Sequence, residues 1–135
     1  MLKRITTMAL LMPLLVGCAP TNISAPAGDV PPKPTHLKIT HEQAQEMMRE
    51  QDVIILDVRR MDEFLSGHIE NAVLLPVEEL EDRALDVLSD MDATILIYCR
   101  SGRRSADAAR ILSSLGFTHV YDFGGIIDWP GEVVV

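Results

Sequence analysis

The stretch that decides the fold is residues 94–105, which read TILIYCRSGRRS. Its first five residues are almost all β-branched, aliphatic or aromatic, and this composition predicts a strand buried on both faces. A glycine-containing loop follows Cys99, and a helix is predicted over residues 105–115 with Gly116 as its stop. A cysteine at the C-terminal end of a buried strand indicates an α/β protein, in which ligands bind at that edge of the sheet.

The rest of the chain alternates in the same way. Strands are predicted over residues 37–39, 53–58, 72–75 and 119–122. Helices are predicted over residues 41–50, 61–65 and 78–88, the last with Leu80, Ala84, Leu85 and Leu88 on its core face. Thr40 and Gln43 have the capping-box pattern that opens a helix. This alternation predicts an open parallel sheet with helices on both faces.

The first 17 residues have the form of an export signal. Lys3 and Arg4 precede an apolar stretch over residues 5–16, which is shorter than the ~20 residues that a membrane-spanning helix needs. Residues 15–18, LVGC, resemble the lipobox of bacterial lipoproteins, in which the cysteine is acylated and becomes the first residue. We therefore expect a lipid on Cys18 and a place in the bacterial envelope, on the periplasmic face of the outer membrane. The alternative is ordinary cleavage after Ala19 or Ala27, which would release a soluble periplasmic protein.

Residues 18–36 are expected to form a tether, since they contain five of the chain's eight prolines and almost no large apolar side chains. The folded domain is then expected over residues 37–135. A formal net charge of −8 disfavours nucleic acid and anionic lipid head groups as partners. Contact with a membrane is therefore expected only through the lipid anchor, and the sequence predicts no oligomeric state.

Cys99 is the remaining thiol once Cys18 carries a lipid, so no internal disulfide is expected. A free cysteine with a pKa of about 8.5 is only a few per cent thiolate at neutral pH, and a nucleophile needs its anion stabilised. Backbone N–H groups of a tight loop, a helix N-terminus and guanidinium groups all stabilise a thiolate. The loop after Cys99 offers these groups and predicts a cradle for a small anion, formed by Arg100, Ser101, Gly102, Arg103, Arg104 and Ser105.

With these motifs, the chain resembles the rhodanese family over about residues 37–129, and more closely its single-domain periplasmic thiosulfate sulfurtransferases. The resemblance rests on LDVR at 56–59, EF at 63–64, GHI at 67–69, NA at 71–72 through Pro76, the loop at 99–105, and GG at 124–125 with Trp129. It implies a doubly wound α/β fold and a Cys99 persulfide that passes sulfur from a small anionic donor such as thiosulfate to cyanide or a thiol. It implies no metal and no organic cofactor. Asn71 stands where the family commonly has glycine, and asparagine also tolerates positive φ.

Two other functions remain open on sequence grounds. Related phosphatases and arsenate reductases use a loop one residue longer, Cys-x5-Arg, whereas Arg104 is the fifth residue after Cys99 and Ser105 occupies the sixth position. A non-catalytic module or a dedicated sulfur carrier with the same loop is the second alternative.

Four polar residues outside the loop are expected to support it rather than to act in the chemistry. Asp57, Arg59 and Glu63 have the spacing of a partly buried ion-pair set that fixes the neighbouring loop. His68 is predicted to be a turn or cap residue, and Trp129 a core side chain.

Overall fold

The computed structural model describes residues 35–135 together with Gly17, so the rest of the predicted signal segment, Cys18 and nearly all of the tether lie outside the described residues. The strands are β1 (Thr35–Lys38), β2 (Ile54–Asp57), β3 (His68–Ile69), β4 (Val73–Leu74), β5 (Thr94–Cys99), β6 (His119–Gly125) and β7 (Val133–Val134). The helices are α1 (His41–Glu50), α2 (Met61–Leu65), α3 (Leu80–Val87) and α4 (Arg103–Leu115), with short 3-10 turns at Val77–Glu79 and Ile126–Asp128. Within the described part of the chain, no helix is both long and apolar enough to cross a membrane.

Five of the strands form one sheet in the order β1-β6-β5-β2-β4, and all of its pairings are parallel. β5 lies at the centre, with Leu56 of β2 opposite Ile97 and His119 of β6 opposite Thr94. Connections from one strand to the next therefore cross over the faces of the sheet, where the helices lie. This confirms the predicted α/β fold with an open parallel sheet and helices on both faces.

Alternate residues of the central strands pack into two separate cores. Ile95 and Ile97 face α3 and α4 in a cluster that includes Leu112 and Phe117. Leu96 and Tyr98 face α1 in a second cluster with Ala44 and Phe123. Since β5 is covered on both sides, its last residue, Cys99, is held in a rigid position.

One predicted core residue is wrong: Leu85 is 55% exposed, whereas Leu80, Ala84 and Leu88 are buried. The three buried residues follow a four-residue spacing along α3, and Leu85 comes one position after Ala84. It is therefore rotated by about 100° from the core-facing line. The pattern predicted a helix over residues 78–88, whereas α3 covers Leu80–Val87 after a 3-10 turn at Val77–Glu79, and it widened the apolar face by one residue.

The pair β3 and β7 forms a small antiparallel sheet, with Ile69 opposite Val133. β7 was not predicted, because three valines after a proline, a glycine and a glutamate carry no periodicity that distinguishes a strand from a tail. The structure thus fixes the C-terminal segment against the loop that precedes β4.

Candidate active site

Cys99 is the last residue of β5 and is buried. Its Sγ accepts a hydrogen bond of 3.0 Å from the backbone N–H of Gly102 and lies 3.7 Å from the Ser105 Oγ. Gly102 has φ +101°, in the left-handed region, and this turns its N–H back toward the sulfur. The thiol is thereby placed at the N-terminal end of α4, where the helix dipole favours an anion.

α4 begins at Arg103, two residues before the predicted start, because Gly102 serves as its N-cap. Arg103 and Arg104 therefore occupy the first helical turn, which contains no acidic residue. Cations at a helix N-terminus oppose the helix dipole, usually by about 0.3–1 kcal/mol each. A bound anion or a thiolate at this position would offset that repulsion. Positive side chains at the positive end of a helix are locally unfavourable, and unfavourable arrangements of this kind are typical of functional sites.

The three arginines of the loop differ in their surroundings. Arg100 and Arg103 are exposed, and neither forms an ion pair within residues 35–135. Arg104 is partly buried and forms a two-pronged ion pair with Glu63 of α2, at 2.7 Å from Nη1 to Oε2 and 2.8 Å from Nη2 to Oε1. The guanidinium of Arg104 is thus oriented by α2, while the other two remain available to a ligand from solvent.

Glu63 accepts these two hydrogen bonds and a third from the Arg60 N–H, at 3.1 Å. The hydrogen bonds from Arg104 lower the pKa of Glu63 to about 2, against the opposing effect of burial. The same contact raises the pKa of Arg104, and the charge of Cys99 adds to that shift. The pair stays fully ionised at neutral pH and links α2 to the first turn of α4.

The turn at Gly124 and Gly125 packs directly against the cysteine loop. A Cβ on Gly125 would lie 2.2 Å from the Arg100 carbonyl oxygen and 2.7 Å from the Ser101 Cα, so no larger residue fits. Ser105 Oγ donates to the Gly102 carbonyl at 3.0 Å and lies 3.4 Å from the Gly124 carbonyl. These contacts hold the loop closed around Sγ.

Asp57 and Arg59 form a buried ion pair, with 2.7 Å between Oδ2 and Nη2. Tyr98 Oη donates to Asp57 Oδ2 at 2.6 Å and accepts from the Ile69 N–H at 3.1 Å. Burial, together with the Asp57 hydrogen bond, raises the pKa of Tyr98. Arg59 also donates to the Gly67 carbonyl at 2.7 Å. This network fixes the side chain of Tyr98, the residue before Cys99, and ties it to residues 67–69. Tyr98 and Cys99 belong to the two different cores, so the network lies on the face of the sheet opposite to Sγ.

Glu63 does not join the Asp57 and Arg59 pair, contrary to the expected three-residue set. Its carboxylate belongs to the Arg104 contact, which joins residues 41 positions apart in sequence. His68 lies in β3, where its Nδ1 is 3.0 Å from the Phe64 carbonyl and its ring stacks on Phe64 at 3.7 Å. Neither residue reaches the cysteine sulfur.

Asp122, which the sequence analysis did not single out, and Gly125, which it noted only as part of the GG pair, shape the site. Asp122 is buried, and its Oδ1 accepts a 2.9 Å hydrogen bond from the Gly124 N–H, which sets the turn beside the loop. Gly125 is required by the close approach described above. The GG pair in the sequence was a signal of a tight turn, but it did not reveal which backbone lies against it.

Two surface cavities lie away from Cys99. One of about 670 Å³ lies between α3 and α4, and one of about 510 Å³ lies beside α1 and Trp129. Neither is lined by a residue of the cysteine loop. The site at Cys99 is a loop around a buried thiol, with a backbone N–H and arginine side chains that suit a small anion.

Comparison with known proteins places these features in a family. The family described as the rhodanese-like domain matches residues 40–132. The thiosulfate sulfurtransferase PspE of Escherichia coli is 36% identical over 73 residues, covering 54% of this chain and 70% of that protein. The thiosulfate sulfurtransferase GlpE of Coxiella burnetii is 33% identical over 96 residues, covering 70% of this chain and 88% of that protein. A solved structure titled as a rhodanese with anions from E. coli superposes with a TM-score of 0.58 at 32% identity, covering 62% of this chain and 98% of that one.

Proposed function

Because the chain belongs to the rhodanese-like domain family, we propose that it moves a sulfane sulfur from a small anionic donor such as thiosulfate to cyanide or a thiol, through a persulfide on Cys99. The relatives named as thiosulfate sulfurtransferases support sulfur transfer in general. The observation that carries the specific proposal is the 3.0 Å hydrogen bond from the Gly102 N–H to Cys99 Sγ at the N-terminus of α4.

The reaction has two steps, each of which balances without an outside oxidant or reductant. In the first, the Cys99 thiolate attacks the outer sulfur of thiosulfate, a Sγ–S bond forms, the S–S bond of thiosulfate breaks, and sulfite leaves with the bonding electrons. In the second, cyanide attacks the outer sulfur of the persulfide, the Sγ–S bond breaks, and thiocyanate leaves. The thiolate is regenerated, and the cycle is one of covalent catalysis with two half-reactions.

The loop residues supply the electrostatic part of this scheme. The Gly102 N–H donates to Sγ and stabilises the thiolate that attacks the donor, since hydrogen bonds to an anion are stronger than those to a neutral group. Arg100 and Arg103 are exposed and give the mouth of the loop a local positive charge on an acidic protein, which attracts a dianion. Ser101 and Ser105 complete the polar lining, and Arg104 is kept in place by Glu63.

Steady-state kinetics with the full chain tests this function. Thiocyanate production is measured while thiosulfate and cyanide are varied together, and we expect parallel double-reciprocal lines, which indicate a covalent intermediate. Cys99→Ser and Cys99→Ala should both be inactive with unfolding midpoints close to that of the parent protein. Activity in either variant, or intersecting lines, would contradict the proposal.

Two other outcomes would assign the site to the alternative functions. Persulfide formation without release to cyanide would indicate a dedicated sulfur carrier. Hydrolysis of an aryl phosphate that depends on Cys99, with no thiocyanate formed, would indicate phosphatase chemistry in spite of the shorter loop.

We also propose that Cys18 carries the lipid that holds the protein at the envelope, as its sequence context indicates. The intact mass of the mature protein tests this. A chain that begins at residue 18 with the added mass of acyl groups is the expected result. A lipid-free chain that begins at Pro20 or Gly28 would show that ordinary cleavage occurs instead.

A further inference from the structure

A surface groove with a volume of about 670 Å³ lies between α3 and α4. On the α4 side it is lined by Ile111 and Leu115, which are four residues apart and therefore share one face of the helix. Both side chains pack against the core, but both are only partly buried. None of the lining residues belongs to the loop at 99–105, so this α3–α4 groove is separate from the candidate active site.

Leu85 adds a third apolar side chain to this surface. It is 55% exposed, and along α3 it follows Glu81 by four residues and Asp82 by three. Residues at these spacings share one helix face, and Glu81 and Asp82 both line the groove. Leu85 therefore borders the groove instead of the core. The packing of the fold does not need an exposed leucine here, and apolar side chains grouped at a surface groove are typical of a contact with a partner.

Carboxylates lie on both sides of these apolar residues. Glu81 and Asp82 are exposed, and neither forms an ion pair within residues 35–135. Asp107 and Arg110 line the α4 side, and they pair with each other. The side chains that line the groove thus carry three negative charges and one positive charge. The two carboxylates on α3 are available to cations from a partner.

We propose that the α3–α4 groove docks an amphipathic helix of a partner protein, with lysines or arginines on both sides of its apolar strip. The apolar strip contacts Leu85, Ile111 and Leu115, and the cations contact Glu81 and Asp82. Helices that bind in grooves use apolar anchors one turn apart, and opposite charges across the interface favour the correct partner. A second copy of this chain fits poorly, because it brings a net charge of −8. The docking does not depend on the proposed persulfide chemistry.

Calorimetric titration of the full chain with three peptides tests the proposal. The probe, Ac-AKLKALLKALKK-amide, has its leucines on one helix face with lysines around them. The permuted peptide, Ac-AKLKLKALKLAK-amide, has the same composition but divides its leucines between opposite faces. The charge control, Ac-AELEALLEALEE-amide, has glutamate in place of each lysine. We expect the probe to bind at least about tenfold more tightly than the permuted peptide, and the glutamate peptide not to bind.

Two variants test the two properties of the groove separately. E81Q/D82N should weaken binding of the probe by about fivefold, because two attractive charges are removed. Leu85→Ser should also weaken it by about fivefold, because less apolar area is buried on binding. Both variants should leave thiocyanate production unchanged, since neither alters the loop at 99–105.

Matched control variants lie elsewhere on the surface. E46Q/E50Q removes the same charge from α1, where both side chains are exposed and form no ion pair within residues 35–135. Leu37→Ser changes a leucine of β1 that is 50% exposed. Leu37 is in register with Tyr121, which packs in the core on the α1 face of the sheet, opposite to the groove. Both controls should leave binding of the probe unchanged.

Three results would overturn the proposal: no binding of the probe, equal affinities for the probe and the permuted peptide, or equal losses in the groove variants and their controls. NMR spectra of the full chain give a test that needs no variant. Addition of the probe should shift amide signals mainly in α3 and α4. Shifts centred on α1 or on the loop at 99–105 would show that the peptide binds elsewhere, and would contradict docking in the groove.

Discussion

At the scale of single residues, two glycines shape the Cys99 loop for different physical reasons. Gly102 has φ +101°, but the nearest atom to an added Cβ would be 3.4 Å away, which is an ordinary contact. Gly125 has an ordinary negative φ, but its Cβ would lie 2.2 Å from the Arg100 carbonyl oxygen. The first position needs glycine for its backbone angle, and the second needs it for space.

These differences predict unequal effects of alanine. Gly102→Ala should destabilise the fold by about 1–2 kcal/mol, the usual cost of a left-handed non-glycine residue. Gly125→Ala should cost more, because either β6 or the loop backbone must move, and it should also reduce thiocyanate production. Urea unfolding and the steady-state assay measure both effects. A Gly125→Ala variant as stable and active as the parent protein would contradict the close approach.

Glu63 gives a second prediction at this scale. Its pKa is about 2 in the folded protein, against an ordinary value of 4.5. Its pairing with Arg104 therefore stabilises the fold above a pH of about 4.5, and this stabilisation is lost as the pH falls toward 2. Glu63→Gln should lower the free energy of unfolding by about 1 kcal/mol at neutral pH, and should flatten the pH dependence between 4.5 and 2.

Glu79→Gln is the matched control for that variant, because Glu79 forms an ion pair with Arg83 in which both side chains are about half exposed. Its effect should stay within about 0.5 kcal/mol. Unfolding curves from pH 2 to pH 7 compare the two variants. Equal changes in both would show that the Glu63 pair contributes no more than a surface contact.

The sequence singled out Cys99 and its loop, because a cysteine followed by glycine and three arginines has no simple packing explanation, and the structure places the Gly102 N–H against the cysteine sulfur. It did not identify the partner of Glu63. That contact joins residues 41 positions apart, and only the crossover of the chain from β2 to β5 brings them together. Local spacing favoured Arg59, which lies closer in sequence but pairs with Asp57.

At the scale of elements, the helices were predicted more accurately than the sheet edges. The bounds of α1 and α2 agree with the prediction, since Thr40 and Gln43 cap α1 as their spacing indicated. Asn71 has φ +64°, which agrees with its expected place in a turn. β6 extends three residues beyond its predicted end, because Phe123, Gly124 and Gly125 continue alongside β5 toward Cys99. A glycine pair normally indicates a turn. In this protein, Gly125 instead lets the backbone of β6 lie close to the backbone of the cysteine loop.

Tyr98 connects three elements and gives a prediction at this scale. Its hydroxyl joins Asp57 at the end of β2 to the Ile69 N–H in β3, so removal leaves two buried groups without that partner. Tyr98→Phe should cost about 1–3 kcal/mol of unfolding free energy. Tyr121→Phe is the control, since Tyr121 lies in β6 and is only partly buried, and it should change stability by less than about 0.5 kcal/mol. Equal losses would contradict a specific role for the Tyr98 hydroxyl.

At the scale of the whole molecule, the order β1-β6-β5-β2-β4 places the cysteine strand at the centre of a parallel sheet. The C-terminal ends of β6 and β5 and the segment after β2 then meet at one edge, where they place Gly124 and Gly125, Cys99 and Glu63. The alternation of strands and helices predicted this architecture, because parallel strands need crossover connections. It did not predict the small β3 and β7 sheet, which depends on two-residue strands far apart in sequence.

The intact mass of the full chain after reduction and incubation with thiosulfate tests the central claim most directly. We predict a gain of one sulfur atom, which is absent in Cys99→Ser and is lost on addition of cyanide. A mass that stays unchanged in the folded parent protein, or a gain that persists in Cys99→Ser, would contradict a persulfide on Cys99.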